Sequence, residues 1–212
     1  FSITKQYFKA LTKEIKATNF NKKISTIFIG GGTPSSVDAR FYDEIFEYLR
    51  PNLSYDCEIT SEANPNSANL KWLEHIRALG VNRLSLGAQS FDEKKLKFLG
   101  RIHNAKRVFK AVEEAKIAKF ENINVDIMYG TKLDTKALLL KEVKALNELK
   151  ITHISAYSLM LESKFSNKIS YQKDSPILAQ FLINSLQDIG FKQYEISNFG
   201  QICQHNLSYW RG

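Results

Sequence analysis

Four stretches of this chain place polar side chains and glycines where they could do chemistry. The first is Phe28-Ile29-Gly30-Gly31-Gly32-Thr33-Pro34. Consecutive glycines let a ligand approach the backbone and leave N–H groups free to bind it. The spacing is neither a dinucleotide fingerprint nor a Walker loop, since no Gly-Lys-Ser/Thr follows; the plain alternative is a tight turn. The second is Thr60-Ser61-Glu62-Ala63-Asn64-Pro65. A carboxylate at Glu62 can accept from a ribose diol or pair with an ammonium group, unless this is only a solvated acid beside a helix capped by Asn64 or Asn66. The third joins Gln89, at the end of Leu86-Gly87-Ala88-Gln89, to Gly100-Arg101-Ile102-His103. The Arg101 fork suits a carboxylate, the alternative being a surface ion pair, and His103 reads as a helix-start residue. The fourth is Asn124-Val125-Asp126-Ile127-Met128-Tyr129-Gly130. A buried acid at Asp126 needs a partner, for which Arg83 or a ligand hydroxyl is available. Tyr157 and Ser158 can line the same mouth.

The elements that must position these residues alternate. Apolar runs of strand length at 24–29, 57–61, 83–88, 123–128 and 151–158 start about 30 residues apart, the size of a βα unit, with a possible sixth at 193–197. Helical stripes lie between them. Ile3, Tyr7, Leu11 and Ile15 recur every four residues, with Phe8 beside them. Leu178, Phe181, Leu182, Ser185, Leu186 and Ile189 follow the i, i+3, i+4, i+7 pattern. Ser90 to Glu93 reads as a capping box and Ser175-Pro176 as a helix start; Gly80 and Gly190 sit where helices should stop.

Alternation of this kind predicts a parallel sheet in an α/β fold. The strand faces favour a curled sheet over an open doubly wound one. Ile123, Val125 and Ile127 share one face, Asn124, Asp126 and Met128 the other; Glu58, Thr60 and Glu62 share a face, as do Arg83, Ser85, Gly87 and Gln89. A sheet covered by helices on both sides reads as continuously apolar, whereas a polar inner face suits an incomplete barrel that encloses a ligand.

The 212 residues carry 43% hydrophobic and 25% charged side chains and a net charge of +8. No linker or low-complexity stretch divides them, and one domain over 1–212 is expected. The lysines are spread over the helices without a basic stripe interleaved with aromatics, which argues against nucleic acid. No apolar run approaches the roughly 20 residues of a membrane span. Cys57 and Cys203 form no CxxC pair, and a reducing, cytoplasmic setting is expected. No lysine falls on the polar face of a strand, which disfavours a Schiff-base lyase.

The motifs GGGTP, TSEANP, RLSLGAQSF, GRIHN, NVDIMYG and HISAYSLMLE, in this order over nearly the whole chain, resemble the radical S-adenosylmethionine (SAM) proteins of the HemN/HemW group, the oxygen-independent coproporphyrinogen III oxidases and related heme chaperones. The resemblance implies a partial (β/α)6 barrel, with SAM and a 4Fe-4S cluster as cofactors. The family's CxxxCxxC cluster loop is not in this sequence and is expected upstream of Phe1; residues 193–212 are expected to lead into a C-terminal helical domain beyond Gly212. The resemblance further implies SAM contacts from Gly31, Gly32, Thr33, Glu62, Gln89, Arg101 and Asp126, with Met160 at a further family position. In the oxidases, cleavage of SAM to a 5'-deoxyadenosyl radical starts the decarboxylation of the coproporphyrinogen propionates.

The last signal is Tyr194-Glu195-Ile196-Ser197-Asn198-Phe199, then His205-Asn206-Leu207-Ser208-Tyr209-Trp210-Arg211-Gly212. An imidazole beside aromatics suits heme, with His205 on the iron and Tyr209 or Trp210 on the ring; a frayed tail is the plain alternative. HNxxYW is typical of the heme-chaperone branch, so the resemblance implies heme sites at His205, Asn206, Tyr209 and Trp210, with Cys203 a weaker ligand candidate. The leading expectation is a chaperone that passes heme to an acceptor protein; the alternative is the oxidase.

Overall fold

The computed structural model describes residues 2–160 and 175–211. Six strands form one sheet in chain order: β1 (Ile24–Ile29), β2 (Leu53–Ala63), β3 (Arg83–Gln89), β4 (Asn122–Tyr129), β5 (His153–Ser158) and β6 (Asn198–Gly200). The first five are parallel, and β6 is antiparallel to β5. Among the described residues, eight α-helices accompany them: α1 (Ser2–Ala17), α2 (Asp43–Leu49), α3 (Leu70–Leu79), α4 (Glu93–Phe98), α5 (Ala105–Ile117), α6 (Lys136–Leu149), α7 (Pro176–Asp188) and α8 (Gln204–Arg211). The apolar strand faces meet the helices: Leu84, Leu86, Val125, Ile127 and Ile154 are fully buried beside Leu73, Ala111, Leu139, Leu146 and Leu186.

The inner face is polar and curled. Phe28 of β1, Glu62 of β2, Ser85 of β3, Asp126 of β4, Ser155 of β5 and Asn198 of β6 all border one cavity. Five steps of ~4.8 Å would set the outer strands of a flat sheet about 24 Å apart, so the sheet bends round to form the expected partial barrel.

Several local expectations shift. The sixth strand is not the parallel 193–197 run. The Glu195 carboxylate accepts from the Ser197 N–H at 2.8 Å and from the Asn198 amide, and the Tyr194 N–H donates to the Asn198 carbonyl at 3.1 Å. The chain therefore doubles back, and it is Asn198–Gly200 that pairs with β5 as a strand, with the Ser197 carbonyl also accepting from the Ala156 N–H at 2.8 Å. Gly200 has φ +96°, and a Cβ there would run into the Thr152 carbonyl oxygen, so no other residue fits this reversal without strain. In α1 the inward stripe is Phe8, Leu11, Thr12 and Ile15, while Ile3 and Tyr7 are exposed. In α4 the N-cap is Asp92, which accepts from the Lys95 N–H at 2.9 Å; Ser90 instead accepts from the Asp92 N–H and donates to Glu142. Ser175 caps α7 with Pro176 behind it, and Gly80 and Gly190 end α3 and α7 with positive φ, as expected. No described helix is long and apolar enough to cross a membrane.

Candidate functional site

The loops after β1, β2 and β3 build a pocket of about 210 Å³, bordered by Gly32, Thr33, Glu62, Gln89, Arg101 and Asp126 among others. The loops hold one another in place: the Asn64 N–H donates to the Ser35 hydroxyl at 2.9 Å, and Ser35 and Ser67 hydroxyls meet at 2.6 Å. Asn64 also accepts from the Asn66 N–H in a tight turn, and the cap of α3 is Asn69. Gly31 and Gly32 adopt φ +77° and +60° with open space where a Cβ would stand. The Gly31 N–H donates to the Glu62 carboxylate, yet burial prevails and pushes the Glu62 pKa up. Gln89 has φ +68°, left-handed for a side chain that is not glycine, and sits at a bulge of β3. Such a conformation costs ~1–2 kcal/mol and is held where the surroundings demand it. Arg101 makes no ion pair among the described residues, so its fork is available. His103 is buried, with its Nε2 2.9 Å from the Ala88 carbonyl, just ahead of the α5 cap Asn104. It fastens the Arg101 loop to the tip of β3.

A second cavity of about 380 Å³ shares Glu62, Ser85 and Asp126 with the first and extends to His205, Asn206, Tyr209 and Trp210. These four residues fall at i, i+1, i+4 and i+5 of α8, one face of a helix. Two register partners on the inner face position them. Thr26 of β1 lies opposite Glu58 of β2. The Glu58 carboxylate, 9% exposed, accepts from the Gln204 and His205 N–H groups, each at 3.0 Å, and from the Cys203 thiol at 3.2 Å. It thereby caps α8 with a negative charge where the helix dipole favours one. The Thr26 hydroxyl meets His205 Nδ1 at 2.9 Å, and Phe28 stacks on the imidazole at 5.2 Å. When Nδ1 donates to Thr26, Nε2 keeps its lone pair for a metal. Burial raises the Cys203 pKa and its thiol is spent on Glu58, which sets it aside as a ligand.

Asp126 does not pair with Arg83. Its carboxylate accepts from the Asn124 amide at 2.6 Å, and the Ser85 hydroxyl lies at 3.5 Å. Burial, reinforced by Glu62, pushes its pKa up to about 6. Asn124 is fixed in turn by His153 Nδ1 at 2.6 Å, and His153 Nε2 meets the Tyr194 hydroxyl at 2.8 Å. Burial lowers the His153 pKa to about 3, so this imidazole is neutral. Because Asn124 gives its amide to Asp126, its oxygen accepts, so His153 donates from Nδ1 and accepts at Nε2 from Tyr194. Tyr194 accepts from the Cys203 N–H at 3.2 Å. One directed chain of hydrogen bonds therefore runs from the start of α8 to Asp126. Tyr157, 42% exposed, borders the larger cavity.

Met160 is 85% exposed and borders neither cavity. The sequence assigns no task to Thr26, Glu58, His153 or Tyr194. Alternation puts Thr26 and Glu58 on the inner face with Phe28 and Glu62, and His153 and Tyr194 fall inside motifs, but nothing local marks the hydrogen bonds they make.

The radical SAM superfamily model matches residues 6–155. The chain belongs to this family. Among the curated relatives, the heme chaperone HemW of Lactococcus lactis is 32% identical over 96% of this chain and 57% of that protein, and that of Bacillus subtilis 34% identical over 97% and 59%. The chain thus spans less than two thirds of these relatives. The coproporphyrinogen III oxidase HemN from Escherichia coli, described as a radical SAM enzyme, superimposes with a TM-score of 0.81 at 25% identity, covering 97% of this chain and 51% of that one. Membership implies SAM and a 4Fe-4S cluster as cofactors. The groups bordering the smaller pocket are of the kinds SAM would need: an open glycine backbone, acids for an ammonium, a sulfonium or a diol, and Arg101, without an ion pair among the described residues, for a carboxylate. The described residues do not fit the cluster, since they hold no group of three His, Cys, Asp or Glu able to bind a metal.

Proposed function

We propose that this chain is the SAM-binding and heme-binding part of a radical SAM heme chaperone, which holds heme and passes it to an acceptor protein. Gly31, Gly32, Thr33, Glu62, Gln89, Arg101 and Asp126 would hold SAM. His205 would take the heme iron through Nε2, with Asn206, Tyr209 and Trp210 along the ring. The reading rests on one observation: the His205–Trp210 face of α8 borders the same cavity as Glu62 and Asp126. Tyr209 and Trp210, 79% and 61% exposed and packed edge to face, offer an aromatic surface that a monomeric fold does not need for its core. The HemW relatives point the same way.

The oxidase reading is favoured by the likeness to HemN, and it demands turnover of coproporphyrinogen by the full-length protein. The test of the chaperone reading is heme titration of the full-length protein. A Soret shift that saturates in the parent and is lost in His205→Ala is expected; an identical spectrum in the variant would remove His205 from the site.

A further inference from the structure

Arg83 opens β3, is 3% exposed and borders the larger cavity. Its Nε has no hydrogen-bond partner among the described residues, and no described carboxylate lies within 4.0 Å of its guanidinium. A buried guanidinium without a counter-charge is costly. The acids around it are engaged elsewhere. Glu58 holds α8, Asp126 holds Asn124, Glu195 holds Ser197 and Asn198, and Glu62 receives the Gly31 N–H. Moving any of them onto Arg83 would break the geometry they maintain. The site is therefore built to receive an anion from outside.

We infer that Arg83 is a carboxylate-binding residue whose ligand is a propionate arm of the tetrapyrrole held by His205. This rests on the heme reading above. Three facts select the propionate. Arg83 and His205 border one cavity, and Arg83 is not on the smaller pocket, where Arg101 supplies the cation for an amino-acid carboxylate. The cavity's volume of about 380 Å³ is at the low end for small-molecule sites, ~300–1,000 Å³: room for an edge and its arms, with the rest of the ring against Tyr209 and Trp210 at the rim. A guanidinium fork also matches a carboxylate in two parallel bonds.

The experiment compares ferric protoporphyrin IX with its dimethyl ester, delivered from the same detergent buffer to the full-length protein and to Arg83→Gln, with SAM calorimetry on both proteins. The parent should bind the diacid about ten- to a hundredfold more tightly than the ester, the range expected for one charge-assisted contact. Arg83→Gln should erase that difference while leaving the ester and SAM affinities unchanged. Equal binding of diacid and ester by the parent overturns the inference and leaves the heme reading standing. So does a variant that weakens both porphyrins alike, since Arg83 would then serve packing only, or one that weakens SAM and keeps the diacid preference. A parent that binds neither porphyrin overturns the heme reading itself. Circular dichroism on the variant separates misfolding from lost binding, and the parent's diacid preference needs no variant at all.

Discussion

Glu58→Gln should loosen α8 while leaving the barrel folded. The native carboxylate accepts three donors: the Gln204 N–H on one oxygen, the His205 N–H and the Cys203 thiol on the other. Glutamine keeps one acceptor oxygen and sets an NH2 group against the remaining donors. The charge that favours the helix N-terminus goes with it, worth ~0.3–1 kcal/mol and up to ~2 when partly buried. Loss of one charge-assisted bond adds ~1.5–3 kcal/mol. Solvent entry at the loosened helix end offsets part of this, and about 2 kcal/mol should remain, roughly thirtyfold in a local opening equilibrium. Amide hydrogen exchange reads this without any ligand: the α8 amides should exchange about thirtyfold faster, with β3 and β4 unchanged. Heme affinity should fall with the docked fraction, while SAM affinity holds. Unchanged exchange across α8 together with unchanged heme binding would show that something other than the Glu58 carboxylate docks the helix.

Asp126 should make the protein's stability and, under the proposed SAM site, SAM binding depend on pH in opposite senses. Its carboxyl is raised from 3.8 to about 6, so between those pH values the folded state holds a proton that the unfolded chain has lost. At ~1.36 kcal/mol per pH unit, stability from this group falls by up to about 3 kcal/mol as pH rises through that window. SAM, a cation, should bind more tightly as pH passes 6 and release a proton below it, measurable by calorimetry in buffers of different ionisation enthalpy; Asp126→Asn should flatten both profiles. Lys95→Met should be severely destabilising. Lys95 is fully buried at 2.7 Å from Asp134 and 3.0 Å from Glu142, themselves buried, and removing the cation strands two carboxylates at a cost of ~3–5 kcal/mol. Thermal unfolding at pH 7 should show it as a drop of about 10 °C; a loss under 1 kcal/mol would mean the three charges contribute little.

The architecture was legible because burial writes itself into a strand as period-2 alternation. Ile123, Val125 and Ile127 against Asn124 and Asp126 already describe one face on helices and one on a cavity. Helix ends marked by Ser175-Pro176 or Gly80 were equally plain. Errors arose where the deciding interaction lies across the fold or within an unusual turn. Lys95 reads as a solvated helix lysine, because its acids arrive from residues 134 and 142. The run 193–197 reads as a strand, and only Glu195 folding onto Ser197 and Asn198 reverses it. In α1 the four-residue repeat of Ile3, Tyr7, Leu11 and Ile15 competes with a stripe one position over, and packing against Phe41 and Tyr42 chose Phe8.

The site divides along the same line. Glu62 and Gln89 sit at strand tips, Asp126 faces inward from within β4, and Arg101 follows α4 on the return from the tip of β3; chain position alone predicts such convergence, and the four do border one pocket. The residues that set α8 beside them are of another kind. Thr26 and Glu58 are visible as inward-facing, but their task exists only because residues 201–211 turn back from β6 across the inner face to β1 and β2. His153 and Tyr194 matter only as links between that returning segment and Asn124. The same return explains Arg83: each acid that a reader of strand faces would pair with it is already committed to a neighbour, so the cation is left facing the cavity rather than Asp126.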